Sequence, residues 1–347
     1  MTTYLLLYTE PPTRRVFEKH RPGRLIFASD EVTPEDRAAY DECVELPHVA
    51  DVPATLDALR RIRADVVVAQ TEYGLLPGAL LQDRGVEAAM RCTNKWLCRQ
   101  ALSRAGVPVP RFALVDGAPG VRRFAERWPV ILKPVASTLA RGVVRVDSPA
   151  GLDAAIARMR LPDLVDVRRL SAFAALAGVD MGCDPTRQFL VEEFVEGLPL
   201  EADGLVFGDR IDCFGAMEQV VAPDFRIEGY LFPADAAAAA AEPVVRALGL
   251  RDMGFAIEFR GSTVIEVNGR LGEDDGFPDL FHAALGDYPI LKWMKGDAAP
   301  LAPRARAALA YRMGPAGGPP HAAWELATHP TSSRAAYELA RAKLCAS

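Results

Sequence analysis

At 347 residues the chain exceeds one compact unit, so two or three lobes are expected, and half of its residues are hydrophobic, ample for a sizeable core. A net charge of −6 argues against a nucleic-acid partner or an anionic membrane surface; no apolar run reaches membrane-span length, and Met1-Thr-Thr-Tyr-Leu5 lacks the basic start of a secretion signal. The six cysteines, Cys43, Cys92, Cys98, Cys183, Cys213 and Cys345, are scattered with no CxxC pair, which fits reduced thiols in a cytoplasmic protein.

In chain order, apolar runs of strand length at residues 4–8, 24–28 and 65–69 are separated by helical stretches such as 34–43 and 54–63. That is a βαβ pattern with buried parallel strands. No GxGxxG follows these strands and no GxxxxGK[ST] occurs in the chain, which disfavours a dinucleotide-binding domain and a Walker-type phosphate loop. Asn94 can cap a helix running to about Ala105, closed by Gly106 and then Pro108. Shorter strands follow at 130–133 and 142–146, helices at 151–160 and 163–177, and another strand at 188–195. The alanine run 236–241 opens a helix by propensity; 298–320 turns rich in Ala, Pro and Gly, and 332–344 reads as a terminal helix.

Two neighbouring stretches carry the most information: Gly254-Phe-Ala-Ile-Glu-Phe-Arg260 and Val264-Ile-Glu-Val-Asn-Gly-Arg270. Both alternate apolar and polar residues, and Gly261-Ser262-Thr263 between them reads as the turn of a β-hairpin. Alternation places Phe255, Ile257, Phe259, Ile265 and Val267 on one face and Glu258, Glu266 and Asn268 on the other, with Glu258 opposite Glu266. Facing carboxylates repel by a few tenths to roughly 1 kcal/mol. Two of them with a carboxamide oxygen suit Mg2+, which takes oxygen ligands and phosphate partners. A solvated polar face on an ordinary hairpin is the other reading.

Only six of the 40 basic residues are lysines, so their positions stand out. Lys133 ends an apolar strand before Pro134 and the small-residue loop 136–142, an arrangement able to hold phosphate oxygens. Lys95 lies in the first turn of its helix, where a cation is mildly disfavoured unless an anion is near. Either lysine alone also fits a solvated surface position.

Taken in order, the Asn94-Lys95 start, the Lys133-Pro134 strand end, the loop with Arg141-Gly142-Val143, Val191-Glu-Glu-Phe-Val-Glu-Gly197, Glu258, and Glu266-Val-Asn268-Gly-Arg270 resemble the ATP-grasp superfamily over roughly residues 60 to 295. The resemblance implies an α/β chain of three parts: a parallel βαβ pre-ATP-grasp domain (1–92), a small α+β lid region (93–195) and a C-terminal catalytic lobe with an antiparallel sheet and short tail (196–347). It implies ATP with Mg2+ or Mn2+ as cofactors. Lys95, Lys133 and Arg141 would meet the phosphates; the backbone of Glu193 and Val195 would read the adenine edge, with the Glu192 side chain beside it. Glu258, Glu266 and Asn268 would hold the metal ions, and Arg270 would meet the transferred phosphoryl or the substrate carboxylate. The family's ribose-binding glutamate falls on Pro199; Glu201, two residues on and hence on the same face, can substitute. Ser137 and Leu139 stand where the family's phosphate loop commonly has glycine.

The activity implied is carboxylate–amine ligation. A carboxylate attacks the γ-phosphoryl of ATP, and an amine displaces phosphate from the acyl phosphate to form an amide. A kinase or carboxyphosphate-forming enzyme would use the same nucleotide site, and a nucleotide-binding module without turnover is a third alternative. The acidic turn Glu273-Asp274 after Arg270, and Glu72 at the end of the strand at 65–69, are candidates for an amino-acid substrate's ammonium group, although a solvated loop explains the turn equally well. The partners expected are a small carboxylic acid and an amine; a homodimer is left open.

Overall fold

The computed structural model describes residues 1–222, 225–235, 241–314 and 321–346. Three sheets organise it. The first is β1 (Thr3–Leu7), β2 (Arg24–Ser29), β3 (Glu42–Glu45) and β4 (Val66–Val68), in the order β3-β2-β1-β4 and parallel throughout. Leu5, Leu6 and Leu7 are all buried, which explains a continuous apolar run in place of alternation. Helices α1 (Pro11–His20), α2 (Pro34–Ala39), α3 (Val52–Leu59) and α4 (Glu72–Leu81) connect and follow these strands.

The helix expected over 34–43 is shorter. A capping box between Thr33 and Asp36 starts it, but Tyr40 turns extended and Cys43 lies on β3, where Glu42 pairs with Ile26. An edge strand of four residues gives too little periodicity to be seen in sequence. The helix expected over 54–63 begins earlier, at Val52, because the Asp51 side chain accepts from the Ala54 N–H, and it ends at Leu59. Helix α1 was not anticipated; prolines in its first turn set the backbone without losing a helical hydrogen bond.

Helices α5 (Val86–Thr93) and α6 (Lys95–Arg104) lead to the second sheet. Asn94 caps α6 as expected, its side-chain oxygen accepting from the Trp96 and Leu97 N–H groups. Strands β5 (Phe112–Val115), β6 (Val130–Pro134), β7 (Val144–Val146) and β8 (Phe189–Glu193) form an antiparallel sheet in the order β5-β8-β6-β7. Helix α7 (Ala118–Phe124) follows β5, and α8 (Leu152–Met159) and α9 (Val165–Ala177) follow β7. Helix α9 reaches back to pack on α3, α4 and α5.

The third sheet has seven strands in the order β13-β12-β9-β10-β11-β14-β15. They are β9 (Pro199–Phe207), β10 (Arg210–Val221), β11 (Ile227–Phe232), β12 (Gly254–Arg260), β13 (Thr263–Asn268), β14 (Arg306–Met313) and β15 (His321–His329). Helices α10 (Ala241–Leu248), α11 (Phe277–Leu285), α12 (Pro289–Met294) and α13 (Ser333–Ala346) complete the chain. Most of the alanine-run helix expectation, 236–240, lies outside the described residues, as does 315–320 of the Ala/Pro/Gly-rich stretch, whose earlier part holds β14.

The hairpin forms with one revision. Its turn is two residues long, since Arg260 pairs with Thr263 and Phe259 with Val264. A bulge then restores Glu258 opposite Glu266 and Ile257 opposite Val267. The extra residue is Ile265. It was expected on the core face, yet Val264 and Val267 take the core positions with Phe255, Ile257 and Phe259, while Ile265 turns to the opposite side.

Candidate active site

A cleft of about 300 Å3 lies between the four-stranded antiparallel sheet, the seven-stranded sheet and the start of α4. Glu72, Lys133, Glu192, Glu193, Val195, Glu201, Glu258, Glu266, Asn268, Arg270, Glu273 and Asp274 all line it. Lys95 and Arg141 are not on its wall. Lys95 enters through a partner: its ammonium lies 2.7 Å from the Glu266 carboxylate and donates to the Ser137 carbonyl at 3.3 Å. Arg141 turns away, donating to the Tyr73 hydroxyl at 3.1 Å and to Thr138.

Antiparallel register builds the floor. Glu258 on β12 is paired with Glu266 on β13 and with Glu201 on β9, so three carboxylates lie side by side across three strands. Burial, then Glu266 and Glu201, push the Glu258 carboxyl up to about 8. Glu201 is raised well above the ordinary range by burial and by Asp203, although Gln219 donates to it at 2.7 Å. Asp203 is fully buried and raised to about 7 by that burial; the Gly272 N–H donates to it at 2.8 Å, and its carboxyl shares a hydrogen bond with Glu201. Burial alone would raise Glu266 too, but Lys95 and Lys133 hold it below the usual carboxylate value.

Two cations lie on the side of the four-stranded antiparallel sheet. Lys133 is only 5% exposed and pairs with Glu192 at 2.9 Å. Glu192, at 2% exposure, also takes Arg99 at 2.6 Å. Neither lysine occupies the solvated position that sequence left open. Glu193 and Val195 run along the lip of the cleft where β8 ends. The loop after Lys133 carries Leu139 and Ala140 in left-handed backbone (φ 52° and 53°), a conformation glycine adopts without strain. Gly142 is obligatory there: at φ 73°, an added Cβ would meet the Pro134 ring at 2.8 Å.

At the far end, Arg270 lies two residues past the last residue of β13 and still faces the cleft. Its Nε is 3.6 Å from Glu273 and 4.0 Å from Glu72, with no hydrogen bond of its own. Burial raises both Glu72 and Glu273 despite the guanidinium. Tyr230 donates to Asp274 at 2.7 Å. Sequence reasoning missed Arg99, Ile265, Asp203, Gln219 and Tyr230; among these Arg99 had a signal, since it follows Lys95 by four residues on one helix face.

Among the described residues no three His, Cys, Asp or Glu side chains gather into a ready-made metal site. The set is two carboxylates and the Asn268 carboxamide, with Glu266 engaged by Lys95. That donor set fits Mg2+, which binds through one or two carboxylates and draws its other oxygens from water and phosphates.

Comparison with known proteins agrees with this architecture. No model of a known protein family matches the chain. Over 208 residues it is 33% identical to uncharacterized protein y4rH of Sinorhizobium fredii, covering 56% of this chain and 38% of that one. Over 146 residues it is 31% identical to the formate-dependent phosphoribosylglycinamide formyltransferase of Parasynechococcus marenigrum, covering 39% and 37%. The chain spans less than two fifths of the length of these curated relatives. Its structure resembles L-amino acid ligase from Bacillus licheniformis (TM-score 0.71, 19% identity, 91% of this chain and 81% of that one). It also resembles the biotin carboxylase domain of the Hydrogenobacter thermophilus 2-oxoglutarate carboxylase, solved with MgADP (TM-score 0.65, 14% identity, 90% and 74%). The element order, the parallel and two antiparallel sheets, and these neighbours agree: the chain has the ATP-grasp fold.

Proposed function

We propose that this chain is an ATP-dependent carboxylate–amine ligase that forms an amide through an acyl phosphate, releasing ADP and phosphate. The observation that carries the reading is a single cleft with in-register Glu258 and Glu266 at its floor, Lys133 on the lid side and Arg270 at the far end. Glu258, Glu266 and Asn268 would hold Mg2+ or Mn2+, which when bound supplies charge neutralisation and alignment for phosphoryl transfer. Residues 1–92, 93–195 and 196–347 are then the pre-ATP-grasp domain, the lid region and the catalytic lobe. No helix among the described residues is long and apolar enough to cross a membrane; the six unpaired cysteines support a cytoplasmic location.

The chain's own groups divide the work. Lys133 meets the phosphates, Lys95 acts through Glu266, and the backbone of Glu193 and Val195 holds the adenine edge. Arg270, a planar fork without a hydrogen bond on its Nε, holds the carboxylate that attacks. Glu72, Glu273 and Asp274 place three carboxyl groups around it, hydrogen-bond acceptors that favour a substrate bearing an ammonium group. An amino acid supplies both groups. The loop bearing Leu139 lines the cleft, and its closing over the bound substrates would keep water from an acyl phosphate.

Two measurements test this. ADP release screened against pooled acids and amines is expected to need one of each, with an amide among the products. With the acid labelled by 18O in its carboxylate, one label is expected in the released inorganic phosphate, because that oxygen attacks the γ-phosphorus. Label in AMP, or ADP formed with a stable phosphorylated product and no amide, refutes the ligase reading.

A further inference from the structure

Arg99 belongs to no part of the nucleotide or substrate roles above, yet it is among the largest fully buried side chains of the protein. An arginine is rarely buried unless its charge and its donors are met. Here both are met by groups of the cleft wall. Its Nε donates to Glu192 Oε1 at 2.6 Å, and its Nη2 donates to the carbonyl of Ile265, the bulged residue beside Glu266. The other oxygen of Glu192 faces Lys133 Nζ at 2.9 Å, and that ammonium lies 3.5 Å from the same Ile265 carbonyl. One carboxylate thus lies between two cations, all three side chains nearly out of solvent.

The charge count matters. Glu192 and Lys133 alone would be a closed, neutral ion pair, and an incoming phosphate would have to compete with a buried carboxylate for the ammonium. With Arg99 satisfying Glu192, the trio keeps one net positive charge; Lys133 and Glu192 border the cleft, and Arg99 stands behind them. Burial favours the protonated form of Glu192, but Arg99 and Lys133 bring its carboxyl down to about 2, so it stays an anion between them.

We propose that Arg99 is a positioning residue for nucleotide binding: it neutralises Glu192 so that Lys133 keeps its charge for phosphate, and it pins the β13 bulge that turns Ile265 and Glu266 to the cleft. This rests on the nucleotide site proposed above. It assigns Glu192 the task of orienting Lys133.

Isothermal titration of the full chain with ADP and Mg2+ tests it without turnover. Arg99→Met is expected to weaken MgADP binding at least tenfold, because Glu192 then holds Lys133 alone. Adding Glu192→Gln to Arg99→Met is expected to recover most of that loss, since the competing anion is gone. A residue that only filled space would show no such rescue. Arg99→Lys retains a cation beside Glu192 and is expected to bind MgADP within about threefold of the parent; it serves as the readout if Arg99→Met lacks a cooperative melt. Parent-like binding by Arg99→Met overturns the inference. So does a double variant no better than Arg99→Met, or a folded Arg99→Lys with a tenfold loss. If the unsubstituted chain itself binds no MgADP, the nucleotide site falls, and this inference falls with it; if it binds and Arg99→Met matches it, only the role of Arg99 is refuted.

Discussion

Replacing Glu258 by glutamine isolates the electrostatic conflict at the cleft floor. In the folded chain its carboxyl is pushed up to about 8 by burial and by Glu266 and Glu201, against an ordinary value of 4.5. A raised folded value means that the favourable contribution is full below about pH 4.5 and is lost as pH rises through about 8. Because pH 7 lies roughly 2.5 above the ordinary value and still below the folded one, the folded state loses about 3 kcal/mol there, which screening at the cleft trims to about 2 kcal/mol. Glutamine has no charge to lose, so ligand-free Glu258→Gln is expected to be more stable than the parent by about 2 kcal/mol at pH 7. The difference should shrink towards zero near pH 5 and grow up to pH 8. Urea denaturation at pH 5, 7 and 8.5 reads it directly. With ADP and Mg2+ at about 100 times the dissociation constant, the parent should gain about 3 kcal/mol and the variant little of it. A variant less stable than the parent at pH 8.5, or a difference that ignores pH, refutes the argument that facing carboxylates are held apart here for a cation.

Three further outcomes are expected. Lys133→Ala should weaken ADP binding at least tenfold while Arg99 still satisfies Glu192, whereas exposed Lys343→Ala should leave nucleotide affinity unchanged and move stability by less than about 0.5 kcal/mol; titration calorimetry compares the two. Arg270→Lys keeps charge but loses the fork, so turnover should fall at least tenfold with ADP affinity within threefold, and full activity would remove the arginine from the chemistry. Gly142→Ala forces a Cβ to 2.8 Å from the Pro134 ring at φ 73° and should lower stability by about 1–3 kcal/mol, read by denaturant titration; a neutral effect would mean that the loop relaxes freely.

Much of the site was legible because its signals are local. Alternation over 254–260 and 264–270 predicted the hairpin and the facing pair Glu258 and Glu266, since strand side chains alternate whatever the strand pairs with. Asn94 announced the start of α6 through cap chemistry spanning three residues. The order of Lys95, Lys133, Glu192, Glu266 and Arg270 along the chain carried the fold resemblance. Where the local signal thinned, as at the four-residue edge strand β3 or at β14 in an Ala/Pro/Gly-rich stretch, the sequence reading lost the element.

What tertiary structure alone decided concerns partners far apart in sequence. Glu201 reaches the carboxylate row only because β9 lies between β10 and β12. Ile265 faces the cleft because of a bulge, a one-residue slip that inverts a side chain and leaves no trace in composition. Arg99 and Glu192 are 93 residues apart, and Arg99 and Ile265 are 166. Nothing local to α6 says that its buried cation must answer a carboxylate on β8 and a carbonyl on β13. The sequence by itself determined which residues alternate, cap and turn, because those depend on neighbours a few positions away. Only the packed sheets determined which charges meet, because the energy of a buried charge depends on whichever groups the fold brings within hydrogen-bond reach.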